Sequence, residues 1–370
     1  MSTLFDPLAL RDVVLPDRIA MSPMCTYSCE ARDGVPGAWH LQHLASRAAG
    51  GVGHVLTEAT AVEPRGRISL QDTGLWDDRQ VDGWRRVTEA ITSLGSVPGV
   101  QLAHAGRKAG TRRPWDGRGP IPAEDFHDPV RTADELWPVA PSAHPFDSSM
   151  RVPHVLDTDG LLAVRAAWTA AAVRAADAGF RVLEVHMAHG YLLHQFLSPL
   201  VNHRDDAHGG DLEGRLRFPL EVVRDVRRVW PESLPLFVRI SATDWVDGGW
   251  DLDQSVQLAI RLREAGVDLV DVSSGGAVPG GVPGAGGGTP PGPGYQVPFA
   301  RAVRERAAVA TGAVGLITDP MHAAAVIADG DADLVLLGRA LLRDPYWPHR
   351  AAEQLGVTPR RPAAYAWAVT

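Results

Sequence analysis

Residues 161–186 read LLAVRAAWTAAAVRAADAGFRVLEVH, and the fold follows from them. Leu161–Ala178 is rich in alanine and leucine and holds no proline or glycine, so it predicts a helix. Gly179 stands where a left-handed C-terminal cap belongs, and Phe180–His186 is a short apolar run that predicts a buried strand. The unit recurs as helix Leu252–Ala265, Gly266 and strand Val267–Ser273. Further strand candidates are Ile19–Met24, Val52–Thr60, Val97–His104, Leu236–Ser241, Val314–Thr318 and Asp333–Gly338, which brings the set to eight. Near-continuous apolar strands alternating with helices imply a parallel sheet covered on its outer face. Eight such units predict the α/β class and a single (β/α)8 TIM barrel, with residues 1–370 forming one domain.

Two irregular stretches interrupt the pattern. Arg112–His154, rich in proline and arginine, is read as an insertion after strand three that packs over the barrel top. Residues 275–296, GGAVPGGVPGAGGGTPPGPGYQ, form a Gly/Pro-rich loop after strand six. It has no GxGxxG spacing between a strand and a helix, so it is no dinucleotide fingerprint, and a mobile loop near the active face is expected.

Of the 370 residues, 45% are hydrophobic and 22% charged, an ordinary balance for a globular chain. The net charge of −8 argues against nucleic-acid and anionic-membrane partners. No apolar run approaches the ~18 residues of a membrane span, and MSTLFDPLAL lacks the basic start of a signal peptide. Cys25 and Cys29 are the only cysteines, so there is no disulfide framework, and a cytoplasmic location is expected. Lys108 is the one lysine among 36 basic residues, which confines lysine chemistry to a single position.

Chemistry in a barrel sits at the C-terminal ends of the strands. Strand one ends in Ser22, Pro23, Met24 and Cys25, strand two in Glu58-Ala59-Thr60, and strand three in Gln101 to His104. Strand four ends in HMAHGY, His186 to Tyr191. Arg239 interrupts the apolar strand LFVRIS, which is costly unless an anion or carbonyl satisfies it. Gly315, Gly338 and Arg339 close strands seven and eight, where barrels often hold phosphate. The residues alone therefore imply a phosphorylated ligand in front of a polar, His-rich and Arg-bearing cavity.

Taken in order, SPMCTYS, TEAT, QLAHAGRK, HMAHGYLLHQFLSPLVNHR, LFVRIS, DLVDVSSG, PGYQVPFA, GLIT and LGRALLRDPYW resemble the old yellow enzyme family of flavin-dependent ene-reductases. The likeness is to its thermophilic-like subgroup, which includes bacterial xenobiotic reductases. The resemblance implies bound FMN, reduced by NADPH or NADH. Hydride from flavin N5 would then pass to the β-carbon of an activated alkene (an α,β-unsaturated ketone, aldehyde or imide) with ping-pong kinetics. By the same resemblance, Ser22, Pro23, Met24, Cys25 and Ala59 face the flavin ring, and Gln101 and Arg239 meet its pyrimidine side. Gly315, Gly338 and Arg339 match phosphate-binding positions. His186 and His189 match the pair that binds the substrate carbonyl, Tyr191 the proton donor to the α-carbon, and Tyr27 a substrate-orienting residue. Cys25 matches a modulator of the flavin potential, while Cys29 matches no functional position. Subgroup members also project a C-terminal residue into a neighbouring subunit. Here the tail 356–370 offers Trp367, which implies a homodimer or homotetramer.

Rival readings attach to some of these residues. Cys25, Cys29, His40 and His43 have a C-x3-C-x10-H-x2-H spacing, but His40 and His43 lie in a helical window and are expected to cap or pack, so no metal is expected. Lys108 supports an alternative function, a Schiff-base lyase of the class I aldolase kind, although it follows strand three in a Gly-rich turn. Trp84, Trp168 and Trp230 are expected to pack helices.

Overall fold

A computed structural model describes residues 3–284 and 290–366. Its centre is a closed parallel barrel whose strands follow chain order. They are β1 (Ile19–Met21), β2 (His54–Ala61), β3 (Val97–Ala103), β4 (Val182–Met187), β5 (Leu236–Ser241), β6 (Leu269–Ser273), β7 (Ala310–Ala313) and β8 (Leu334–Leu337). Around them stand α1 (Ala38–Ala49), α2 (Arg79–Ser93), α3 (Thr158–Asp177), α4 (Leu212–Val229), α5 (Leu252–Glu264), α6 (Val297–Ala307) and α7 (Pro320–Ala328), with α8 (Trp347–Gln354) after β8. The fold is the expected (β/α)8 barrel.

Local sequence explains the punctuation. Asp157 accepts the Gly160 N–H at 2.8 Å and caps α3. Gly179 and Gly266 follow α3 and α5 at φ +85° and +88°, the left-handed geometry that turns each helix into the next strand. Trp84, Trp168 and Trp230 are buried in the packing core. Each hides on the order of 200 Å², or about 5 kcal/mol of transfer free energy.

Strand seven differs from its expected place. Val314–Thr318 is the more apolar run, yet the ladder uses Ala310–Ala313, pairing Gly312 with Asp271 and with Leu334. A Cβ on Gly312 would stand 2.4 Å from the Leu336 side chain, so a glycine suits this position of the strand. Val314–Thr318 instead forms the loop that leaves the barrel, with Leu316 at φ +54°.

The insertion seats Ile121, Phe126 and Leu136 against Leu70, which lies in the loop after β2. A buried ion pair, Arg67 to Asp128 at 2.7 Å, fastens the two. Where the insertion rejoins the barrel, Val139–Ala140 and His154–Val155 pair in parallel. At the opposite end, a hairpin of Leu8–Leu10 and Val13–Leu15 lies under the barrel, and Arg11 reaches Asp268 at 2.8 Å.

Candidate active site

The HMAHGY turn after β4 is the most constrained piece of backbone at the barrel top. His189 has φ +57°, uncommon for a side chain other than glycine, and its N–H donates to Ser241 Oγ at 3.0 Å. Gly190 is fixed at both ends: its N–H donates to His194 Nδ1 and its carbonyl accepts from Gln195 Nε2, each at 2.8 Å. A Cβ at Gly190 would meet the Gly276 carbonyl at 1.9 Å, so the loops after β4 and β6 touch backbone to backbone. Behind them, His194 Nε2 lies 3.0 Å from Asp244 Oδ1, with both side chains fully enclosed. Lys108 ties the same loops together. Its ammonium donates to the carbonyls of His189 (2.8 Å) and Gly276 (3.2 Å) and lies over the rings of Phe146 and Tyr191.

This scaffold gathers three side chains. The His186 and His189 rings meet edge to face at 5.2 Å between centroids, and His186 and Tyr191 meet at 5.1 Å. Burial, then the positive charge of Arg239, holds both imidazoles well below the usual histidine range, so both are neutral at pH 7. His186 Nδ1 accepts the Ala188 N–H at 3.3 Å, which leaves its proton on Nε2. His189 Nε2 stands 2.7 Å from Ser273 Oγ. Ser274 already supplies Gln296 Oε1 at 2.6 Å, against 3.4 Å from Ser273. In the tautomer in which Ser273 donates to His189 Nε2, Nδ1–H is that ring's free donor. Burial, helped by Cys25 and Asp72, pushes the Tyr191 phenol up, so it stays protonated.

On the other side, the chain after β1 runs through Ser22, Pro23, Met24 and Cys25 to Tyr27, which has φ +48°. Glu58 Oε2 accepts the Thr26 N–H at 2.8 Å and holds this segment. The Cys25 thiol is raised by burial, then by the charges of Asp72 and Glu58, so it is a neutral S–H rather than a thiolate. Cys29 is buried and donates to Asp33 Oδ1 at 3.3 Å. Ala59 is buried within β2. His40 accepts the Gly37 N–H at 3.0 Å and caps α1, and His43 is buried on the same helix. Among the described residues no group of three or more His, Cys, Asp or Glu gathers as a metal site.

Arg239 projects into the barrel below the strand ends. Its Nη1 donates to Ser22 Oγ at 3.1 Å, and its Nε lies 3.1 Å from Asp271 Oδ2 without its N–H aimed at that oxygen. Gln101 Nε2 donates to Glu184 Oε1 at 2.8 Å. Beside this layer, a cavity of about 210 Å³ opens between the ends of β6, β7 and β8. Ser273, Gly315, Thr318, Gly338, Arg339 and Arg343 line it. Trp367 lies outside the described residues.

Residues 3–357 match the sequence profile of the NADH:flavin oxidoreductase / NADH oxidase family. The chain belongs to that family. It is 45% identical to an NADPH dehydrogenase of Geobacillus sp. (strain WCH70), over 96% of this chain and 95% of that one. Morphinone reductase in complex with tetrahydroNAD superposes with a TM-score of 0.76 at 29% identity, covering 98% of this chain and 93% of that one. An old yellow enzyme homologue from Zymomonas mobilis superposes at 0.77 with 25% identity, covering 97% and 94%.

This family member is thus an NAD(P)H oxidoreductase of the old yellow enzyme type that uses FMN. Its residues fit that cofactor. The cavity joins a glycine-lined wall to two arginines, a donor set suited to a phosphate. The enclosed Arg239 Nε has no hydrogen-bond partner among the described residues, so a cation is available to a polar ring edge. The Schiff-base alternative finds no support. Lys108 is a protonated clamp between two carbonyls, although burial, then Arg107, lowers its pKa to about 8.

Reading the strand ends missed Glu184, Asp271, Ser273 and the His194–Asp244 pair. For Glu184 and Asp271 the signal was present: each is an acid inside an apolar strand, VLEVHM and LVDVS, the same anomaly that marks Arg239. For Ser273 and the buried dyad no sequence signal exists, because their partners lie on other strands and loops.

Proposed function

We propose that this flavin oxidoreductase is an ene-reductase acting on α,β-unsaturated ketones, aldehydes or imides. One observation carries the reading: two neutral imidazoles and a protonated phenol converge on one spot beside Arg239. FMN would be held by the chain from Ser22 to Cys25, by Ala59, Gln101 and Arg239, and at its phosphate by Gly315, Gly338 and Arg339. Bound there, it supplies a carrier for the two electrons of NAD(P)H.

The protein's own part is to bind and polarise the acceptor. The N–H groups of His186 and His189 donate to the acceptor's carbonyl oxygen and stabilise the negative charge that develops there as the β-carbon is reduced. Neutral donors suit this task, since an imidazolium would surrender its proton to the enolate oxygen. Tyr191 delivers the proton to the α-carbon, and Tyr27 lines the opposite wall. In the same reading the enzyme is cytoplasmic and forms a homodimer or homotetramer, with Trp367 reaching the adjacent chain's site.

The test is a panel of cyclic enones, enals, maleimides and nitro compounds followed by NAD(P)H oxidation, with product chirality measured. Reduction of the C=C bond with parallel double-reciprocal plots is expected. Oxidation of NAD(P)H without alkene reduction, or intersecting plots, would refute the reading.

A further inference from the structure

Inside the barrel lies a charged layer that contains two acids, Glu184 and Asp271, for which the proposed reaction has no use. Gln101, Glu184, Arg239 and Asp271 come from the four successive strands β3 to β6. Strand register sets Gln101 beside Glu184, and Arg239 between His186 and Asp271. All four are nearly inaccessible to solvent. Glu184 Oε2, both Asp271 carboxyl oxygens and Arg239 Nε have no hydrogen-bond partner among the described residues. Arg239 Nε and Asp271 Oδ2 face each other as an ion pair at 3.1 Å, but a buried pair with a second acid beside it is costly, and replacing these groups with apolar residues would be the cheaper structural solution.

Charge counting makes the layer more specific. Arg239 stays positive, because a guanidinium keeps its proton. Two ionised carboxylates against one guanidinium would leave a net negative charge in a dry interior, so the layer is neutral when one carboxyl is protonated. Burial raises Glu184 and the Asp271 charge raises it further, while Arg239 and the Gln101 hydrogen bond oppose this. Asp271 is likewise raised by burial and held down by Arg239. His186, the remaining titratable neighbour in register, is neutral.

We propose that the Glu184–Asp271 pair stores a proton taken up when FMN is reduced and releases it when FMN is reoxidised. The inference rests on the reading that FMN lies against Arg239. NAD(P)H delivers two electrons and one proton, which leaves an extra negative charge facing Arg239. The guanidinium then screens the carboxylates less, and the pair binds one further proton from solvent. Reoxidation by the acceptor reverses this: the stored proton returns to solvent, and the acceptor takes two electrons and a proton, with Tyr191 supplying its second proton. Glu184 and Asp271 never touch the acceptor, so they act by setting the charge beneath the cofactor.

The experiment is the pH dependence of the FMN midpoint potential in the holoenzyme, together with proton counting by an indicator dye during anaerobic reduction. Each proton taken up per two electrons contributes ~30 mV for a tenfold change in proton activity. Near neutral pH the wild-type slope should correspond to two protons. In whichever of Glu184→Gln and Asp271→Asn removes the ionised carboxylate, with FMN still bound, it should fall to one. A one-proton slope in the wild type overturns the proposal. A two-proton slope kept in both variants also overturns it, since the second proton would then sit on the flavin. If the variants do not fold, reduced-minus-oxidised infrared spectra of the wild type decide: a protonated-carboxyl band must grow on reduction. Arg239→Met separates the two readings. An unchanged potential there refutes the placement of FMN, whereas a shifted potential with a one-proton wild-type slope refutes the stored proton alone.

Discussion

At Tyr191, enclosure keeps the phenol protonated, which suits a group that must give a proton rather than take one. Replacing it with phenylalanine leaves the ring packing against His186 but removes the acid. Tyr191→Phe should slow alkene reduction by ~10²–10⁴-fold while NAD(P)H oxidation in the first half-reaction keeps its rate, as stopped-flow absorbance can separate. Equal losses in both half-reactions would point to a damaged pocket. Cys25 offers a second check. Its raised pKa means that iodoacetamide should modify it far more slowly at pH 8 than a free thiol, and Cys25→Ser should shift the flavin potential with FMN retained. Rapid alkylation at pH 8 would mean that a thiolate is present. The roles given to His186, His189, Tyr191 and Arg239 came from the resemblance to the family, while their positions at the strand ends implied only a polar, Arg-bearing cavity. Neither gave their protonation states, because burial and the neighbouring Arg239 decide those.

At the scale of elements, the loops after β4 and β6 form one platform. Lys108 clamps it, and the Gly190–Gly276 approach leaves no room for a side chain. A charged donor to two carbonyls is worth about 1.5–3 kcal/mol. Lys108→Met should therefore raise KM for the acceptor roughly 10-fold with FMN content unchanged. The ammonium titrates at about 8, below a free lysine, so raising the pH through that value removes the charge that holds the loops. Wild-type KM should climb above about pH 8, and Lys108→Arg should delay that climb to higher pH. A KM profile that is flat from pH 7 to 9.5 would show that the clamp's charge is immaterial. None of this platform was legible beforehand. Lys108 stood out in the sequence by its rarity, and its partners are backbone carbonyls far away in the chain.

For the whole molecule, buried histidines tie stability to pH. His54 lies inside the barrel near its lower end, and burial lowers its pKa to about 4. The unfolded chain has the higher value, near 6.5, so it binds a proton first as the pH falls. Stability from neutral His54 is complete above about pH 6.5 and is lost between there and about 4, at ~1.4 kcal/mol per pH unit. Between pH 7 and 4.5 the wild type should lose about 2–3 kcal/mol more than His54→Gln, as urea denaturation of both proteins would measure. The buried acids Asp17, Glu184 and Asp271 have raised values and act in the opposite direction, which is why the comparison with the variant is needed.

Local chemistry along the chain was enough to determine the barrel's units: helices ended at Gly179 and Gly266, and the apolar strands that follow them. It also exposed Arg239, because a charge within an apolar strand is an anomaly visible without coordinates. Only the closed tertiary structure decided which run served as strand seven. The ladder runs through Ala310–Ala313, with Gly312 packed close to Leu336, and not through the more apolar Val314–Thr318. It likewise decided that Glu184, Arg239 and Asp271 share one interior layer, because register between strands is set by barrel closure and not by any single segment.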